Sequence, residues 1–128
     1  MKFSCEKALL QMAVSAASRT VAQKSTIPAL EGILVEADGV LRLTGYNLET
    51  GIRTTIPADV TEKGSLVLSA RLFGDIVRKL SGDIVYFTAE GCSVNITCGP
   101  SRLNILGTDP EKAEIIKDIT TNINSRYE

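Results

Sequence analysis

Histidine is absent from this chain of 128 residues. With it go the side chain most used as a general base near neutral pH and the commonest nitrogen ligand of metals. Cysteine is scarce. Cys5, Cys92 and Cys98 are odd in number and lack the paired spacing of a metal site, so they read as reduced, mostly core thiols of a cytosolic protein. No run approaches the roughly 18 apolar residues of a membrane-spanning helix. Met1-Lys2-Phe3 leads into structured sequence without the apolar stretch of a signal peptide. Charge of one sign is missing too: 14 cations against 15 acids leave a net charge of −1, which offers no global attraction for nucleic acid. No convergent acid–base group or phosphate-cradling glycine loop is present, which sets a small-molecule enzyme well below the other readings. What remains, 44% apolar and 23% charged residues, describes a globular α+β protein of one domain.

What the chain has is a duplication. Phe3–Leu10 (FSCEKALL) and Leu66–Phe73 (LVLSARLF) read strand, turn, helix at an offset of 63 residues. Ile33–Thr44 (ILVEADGVLRLT) matches Val85–Thr97 (VYFTAEGCSVNIT), with Gly39 and Gly91 both at the turn and an offset of 52 residues. The smaller offset follows from a shorter second helix. A β-α-β-β-β unit repeated within one domain implies pseudo-twofold architecture, with two helices on one side and strands on the other.

The first unit, about residues 1–61, opens with a strand at Lys2–Cys5. A helix is expected from Glu6 to about Val21, with Leu10, Ala13, Val14, Ala17 and Val21 as its apolar face. Lys7, Gln11, Ser15 and Ser18 form a polar stripe without an acid. The loop Gln23–Pro28 follows, then strands at about Ala29–Ala37, Val40–Gly45 and Gly51–Pro57, with a hairpin turn at Asp38-Gly39. The second unit, about 62–107, runs from a strand at Ser65–Ser69 into a helix at Ala70–Leu80. That helix is expected to bury Leu72, Phe73, Ile76, Val77 and Leu80, to leave Arg71, Asp75, Arg78 and Lys79 outward, and to end on a Gly82 cap. Strands at Ile84–Ala89, Ser93–Cys98 and Arg102–Leu106 complete it. Beyond Gly107 the composition turns polar. Ile115, Ile116, Ile119 and Ile123 recur at roughly helical spacing in a divergent tail, residues 108–128, for which an amphipathic helix and a frayed end are both open.

From Met1 to about Glu111 the chain resembles the N-terminal domain of the bacterial DNA polymerase III beta subunit, the replication sliding clamp. The segments that carry the resemblance are MKFSCEKALL, SRTVAQKSTIPALEGILVEA, LTGYNLE, TTIPADV, LSARLFGDIVRKL and GPSRLNILGTDPE, in that order. It implies the clamp fold and a non-catalytic processivity factor that encircles duplex DNA and needs no cofactor or metal. In the full-length family it also implies DNA polymerase III and a clamp loader as partners. By position, the QKSTIP loop makes Lys24 the first DNA-contact candidate and Arg71 the second. Arg78, Lys79, Lys7 and Gln11 line the two polar helix faces. Arg102, Leu103 and Ile105 match the family's ring-closing edge, the two apolar side chains as contacts and the arginine as a charge partner.

Each of these residues also has a plainer explanation. Lys24 fits a solvated loop, Arg71 and Arg78 fit a helix exterior with pairing to Asp75, and Leu103 and Ile105 fit the core of a paired strand. Two features depart from the family. Pro100 stands where a basic residue is common, and the family's second and third domains are not represented. A standalone single-domain relative, or a fragment that binds or regulates a full clamp without encircling DNA, is therefore the alternative reading.

Overall fold

In the structure, a computed structural model, the described residues are 1–19, 32–46 and 51–108. They form β1 (Lys2–Glu6), α1 (Lys7–Ser18), β2 (Gly32–Asp38), β3 (Val40–Tyr46), β4 (Gly51–Ile56), β5 (Asp59–Glu62), β6 (Gly64–Ser69), α2 (Ala70–Lys79), β7 (Ile84–Glu90), β8 (Ser93–Cys98) and β9 (Ser101–Leu106). Two antiparallel sheets result, one of five strands in the order β5-β1-β7-β8-β9 and one of four in the order β4-β3-β2-β6.

That order realises the duplication in a specific way. Strand β1, from the first unit, pairs with β7 of the second through Phe3↔Phe87 and Cys5↔Val85. Strand β6, from the second unit, pairs with β2 of the first through Ile33↔Leu68 and Val35↔Leu66. Each unit lends its opening strand to the other's hairpins. The hairpins correspond: Gly39 at φ 73° and Gly91 at φ 59° turn them, both in the left-handed region that glycine enters without a Cβ penalty. The addition to the repeat is β5, a four-residue strand that pairs with β1. Its sequence, DVTE, is short and polar, and no hydrophobic alternation marks it beforehand.

Both helices and both sheets contribute to one apolar core, which includes Leu10, Val14, Ile33, Leu43, Phe73, Val77, Phe87 and Ile96. Phe87 stacks on Phe3 with ring centroids 4.6 Å apart and meets Phe73 edge-on at 6.4 Å. This joins β1, α2 and β7 at the centre of the molecule. Cys5 and Cys98 are buried, and burial pushes the Cys5 thiol up to about 12, so it stays protonated and unreactive.

Several expectations shift. Glu6 stands at the N-cap of α1 in extended conformation without capping through its side chain. The N-cap of α2 is Ser69, whose hydroxyl accepts from the Leu72 N–H at 3.4 Å. No glycine cap ends α2. Leu80 occupies the C-cap with extended backbone, and Gly82, at φ 142°, follows two residues later. There a Cβ would sit 3.0 Å from the Gly99 backbone nitrogen, so its smallness serves close packing of two turns. Leu72 is exposed rather than buried, because the apolar face of α2 centres on Ala70, Phe73 and Val77.

Substituting Phe87→Ala removes the ring that joins the three elements; a loss of about 3–5 kcal/mol in unfolding free energy is expected by urea titration. A second prediction concerns Glu62. Its carboxylate accepts from the Met1 ammonium at 3.0 Å, and that hydrogen bond, followed by the ammonium charge, holds it below the ordinary value of 4.5. A carboxyl depressed in the folded state contributes stability above its unfolded pKa and loses it as pH falls through the folded value. Glu62→Gln is therefore expected to be less stable than the parent near neutral pH, and the gap closes in strong acid. Thermal melts across pH read it.

Candidate nucleic-acid interface

The surface that bears the sequence's DNA-contact candidates is the exterior of the two helices. These run antiparallel side by side. At one end the Lys7 ammonium, in the first turn of α1, donates to the Leu80 carbonyl at the end of α2. Midway, Gly74 of α2 faces Val14 of α1, where a Cβ would meet Val14 Cγ1 at 3.9 Å, an ordinary contact distance. Leu10, Ala13, Val14 and Ala17 of α1, and Ala70, Phe73 and Val77 of α2, face the same core. The opposite faces of both helices therefore look outward on one side of the molecule.

On that side α1 exposes Ala8, Met12, Ser15 and Arg19, and α2 exposes Arg71, Leu72, Arg78 and Lys79. The stripe expected on α1 is turned by about one residue. Ser15 is exposed as anticipated, but Lys7, Gln11 and Ser18 are half-buried beside it. The Ser18 hydroxyl donates back to the Val14 carbonyl at 2.7 Å. Gln11 lines a shallow cleft with Glu6, Lys7, Gly82, Asp83 and Ile84. Arg19 was missed by the sequence reading. It sits where α1 ends, and its signal was the spacing Ala8, Met12, Ser15, Arg19, which follows the helical period with one charged member.

The electrostatics of the face are mildly positive. Segment Lys7–Ser18 contains no acid, and Ala70–Lys79 contains one, Asp75. Arg78 pairs with Asp75 one turn earlier, as the plainer explanation anticipated, so part of its charge is answered within the helix. Arg71 and Lys79 have no ion pair among the described residues. Lys7 is engaged at the α2 C-terminus, where a cation complements the helix dipole and an orphan carbonyl. Lys24 lies outside the described residues. The structure thus brings Arg71, Arg78 and Lys79 together on one face, with Lys7 and Gln11 at its margin in supporting positions.

The second candidate group behaves differently. Strand β9 is the last strand of its sheet and pairs with β8 through Leu103↔Ile96 and Ile105↔Val94. The period of two sends Leu103 and Ile105 toward the core: Ile105 is buried within it and Leu103 packs partly against it. Both side chains thus stand where the plainer reading put them, in the core of a paired strand, Ile105 fully and Leu103 in part. Arg102, Asn104 and Leu106 point outward instead, and Leu106 is 77% exposed. What the edge presents is its backbone, an arginine and this leucine.

A five-stranded and a four-stranded antiparallel sheet with exchanged opening strands, packed with two antiparallel helices, form a fold shared with solved DNA polymerase sliding clamps. A putative DNA polymerase III beta subunit from Eubacterium rectale superposes with a TM-score of 0.83 at 33% identity, covering 87% of this chain and 31% of that one. The DNA polymerase sliding clamp of Bacillus subtilis gives 0.82 at 30% identity over 87% of this chain and 32% of its own. The beta sliding clamp of Micrococcus luteus is 38% identical over 106 residues, 82% of this chain and 34% of the relative. Residues 1–117 match the family described as DNA polymerase III beta subunit, N-terminal domain, and the chain belongs to that family. It spans about a third of the length of the relatives it matches.

Because Lys7 caps a neighbouring helix while Lys79 faces outward unpaired, the two lysines should respond differently to removal of charge. Lys7→Met is expected to cost about 1 kcal/mol of stability. Lys79→Met is expected to change it by less than about 0.5 kcal/mol. Urea midpoints of the two variants check this directly.

Proposed function

We propose that the chain serves as the first domain of a DNA sliding clamp, a non-catalytic processivity module whose helical face lines a passage for duplex DNA and whose whole tethers the replicative polymerase. The observation that carries this reading is the placement of Arg71, Arg78 and Lys79 on one two-helix face that holds a single acid. Membership of the beta-subunit family supports it. Contact with DNA is weak and independent of sequence. An enclosing ring holds its duplex by topology, and a lining that released many counterions on binding would resist sliding. Lys24 belongs to the same contact set, and Arg102 with Leu106 to the edge that meets a neighbouring domain. DNA polymerase III and a clamp loader are the partners of the complete ring. The site of action is the cytoplasm; among the described residues no helix is long and apolar enough to cross a membrane.

The proposal is tested by titrating a duplex of about 20 base pairs at low salt while following backbone amide resonances. Shifts are expected at Ser15, Arg19, Arg71, Arg78 and Lys79, and they should shrink with added salt as counterion release requires. Arg71→Glu together with Lys79→Glu should abolish them. Shifts confined to the outer residues Tyr86, Thr97 and Arg102 of the other sheet would overturn the assignment of the face.

A further inference from the structure

The face of the five-stranded sheet turned away from the core carries mostly short or polar side chains. Two large ones on β7 break that pattern. Ile84, 40% exposed, and Tyr86, 57% exposed, stand two residues apart and so project to the same side. Tyr86 lies between Ser4 of β1 and Thr97 of β8, whose short side chains leave its ring clear. Ile84 stands opposite Glu6 and lines the shallow cleft that Glu6, Ala8 and Asp83 share. An exposed aromatic ring beside an exposed aliphatic side chain, at the lip of a cleft, has the composition of a contact surface.

The charge around this pair is predominantly of one sign. Glu6 faces Ile84 across the strands and Asp83 precedes it in the chain. Asp59 ends the Tyr86 row on the far side of Ser4, about 10 Å away at the spacing of two strands. None of these three carboxylates has an ion pair among the described residues. The cations nearby do not balance them. The Lys7 ammonium donates to the Leu80 carbonyl, and Lys2 stands in the next row opposite Glu62. Arg102 ends the Tyr86 row at the β9 edge, one cation against three acids. An acidic rim around an apolar pair selects its occupant by sign.

We propose that this patch is a docking site for a short extended segment of a partner protein in which an apolar side chain is flanked by arginine or lysine. The apolar side chain covers Ile84 and Tyr86, and a guanidinium lies over the Tyr86 ring. Its cationic neighbours meet Glu6 and Asp83. The small apolar area and the shallow cleft suit a segment of a few residues. An acidic segment or a nucleic acid is repelled by the same carboxylates. The inference goes beyond the proposed function and does not rest on it: the helical face assigned to DNA is mildly basic, whereas this sheet face is acidic and its occupant is a protein.

The probe is the capped pentapeptide Arg-Trp-Arg-Val-Arg, titrated into the full chain at low salt while backbone amide resonances are followed. Shifts are expected at Ser4, Glu6, Asp83, Ile84 and Tyr86. The pentapeptide Glu-Trp-Glu-Val-Glu should leave them in place, as should duplex DNA. Tyr86→Thr combined with Ile84→Thr, at exposed positions of a strand that threonine suits, should weaken binding about tenfold. Glu6→Gln combined with Asp83→Asn should weaken it about fivefold. Unmoved core resonances show that both variants remain folded. The proposal is overturned if millimolar basic peptide leaves these residues unshifted, or if the acidic peptide shifts them equally. It is overturned as well if the chain self-associates in sedimentation and Tyr86→Thr abolishes that, since a second copy would then be the occupant.

Discussion

The exchange of opening strands between the two halves is the constraint from which the rest of the molecule follows. Strand β1 completes the sheet of β7, β8 and β9, and β6 completes the sheet of β2, β3 and β4. Neither half closes a four-stranded sheet by itself, so the halves share one core and are expected to fold as one cooperative unit. The helices inherit their placement from the same exchange. Helix α1 must carry the chain from the five-stranded sheet to the four-stranded one, and α2 must carry it back. Two crossings in opposite directions over one seam give an antiparallel pair. Lys7 reaching the Leu80 carbonyl is the local device that closes it.

That pairing turns a nearly neutral protein into one with a biased face. Net charge describes the field far away, whereas a duplex alongside the helices responds to charges within about one Debye length, roughly 10 Å at 0.1 M salt. Within the helices the only acid is Asp75, and Arg78 already answers it. The acids of the strands and turns, among them Glu36, Asp38, Asp59, Glu62 and Glu90, lie outside the two helices. On the proposed reading, a face of this strength would attract a duplex without holding it, as a guide that must let its track pass requires.

The duplication was legible because glycine at a hairpin and the strand–turn–helix openings recur at fixed offsets; the structure turns both hairpins at Gly39 and Gly91. The strand exchange was not legible, since two equivalent units pair equally well on paper within or between themselves. Strand β5 escaped because DVTE carries no alternation, and its pairing partner β1 lies far off in sequence, as for Lys2↔Glu62 and Ser4↔Asp59. For the candidate interface, residue type was readable and orientation was not. One residue of helical phase separates Lys7 and Gln11 from the outward stripe of Ala8, Met12, Ser15 and Arg19. On β9 the alternation was present in Arg102-Leu103-Asn104-Ile105, but which parity faced the core depended on Ile96 and Val94 of the neighbouring strand.

The sheet edges differ in how well they are defended, and this bears on how such a domain meets its neighbours. Unpaired strand edges invite pairing unless short, charged or covered. Strand β5 is four residues long with acids at both ends. Strand β6 is bridged by Thr108. Strand β4 opens with Gly51 and places Arg53 and Thr55 outward. Strand β9 is six residues long, pairs only with β8 among the described strands, and ends on a leucine that is 77% exposed. Its inward residues are already committed to the core, so a partner arriving there would gain backbone hydrogen bonds and cover Leu106 without disturbing Leu103 or Ile105. An edge that keeps its apolar side chains for its own core and offers mainly its backbone suits a neighbour that continues the sheet, in preference to one that packs against its face.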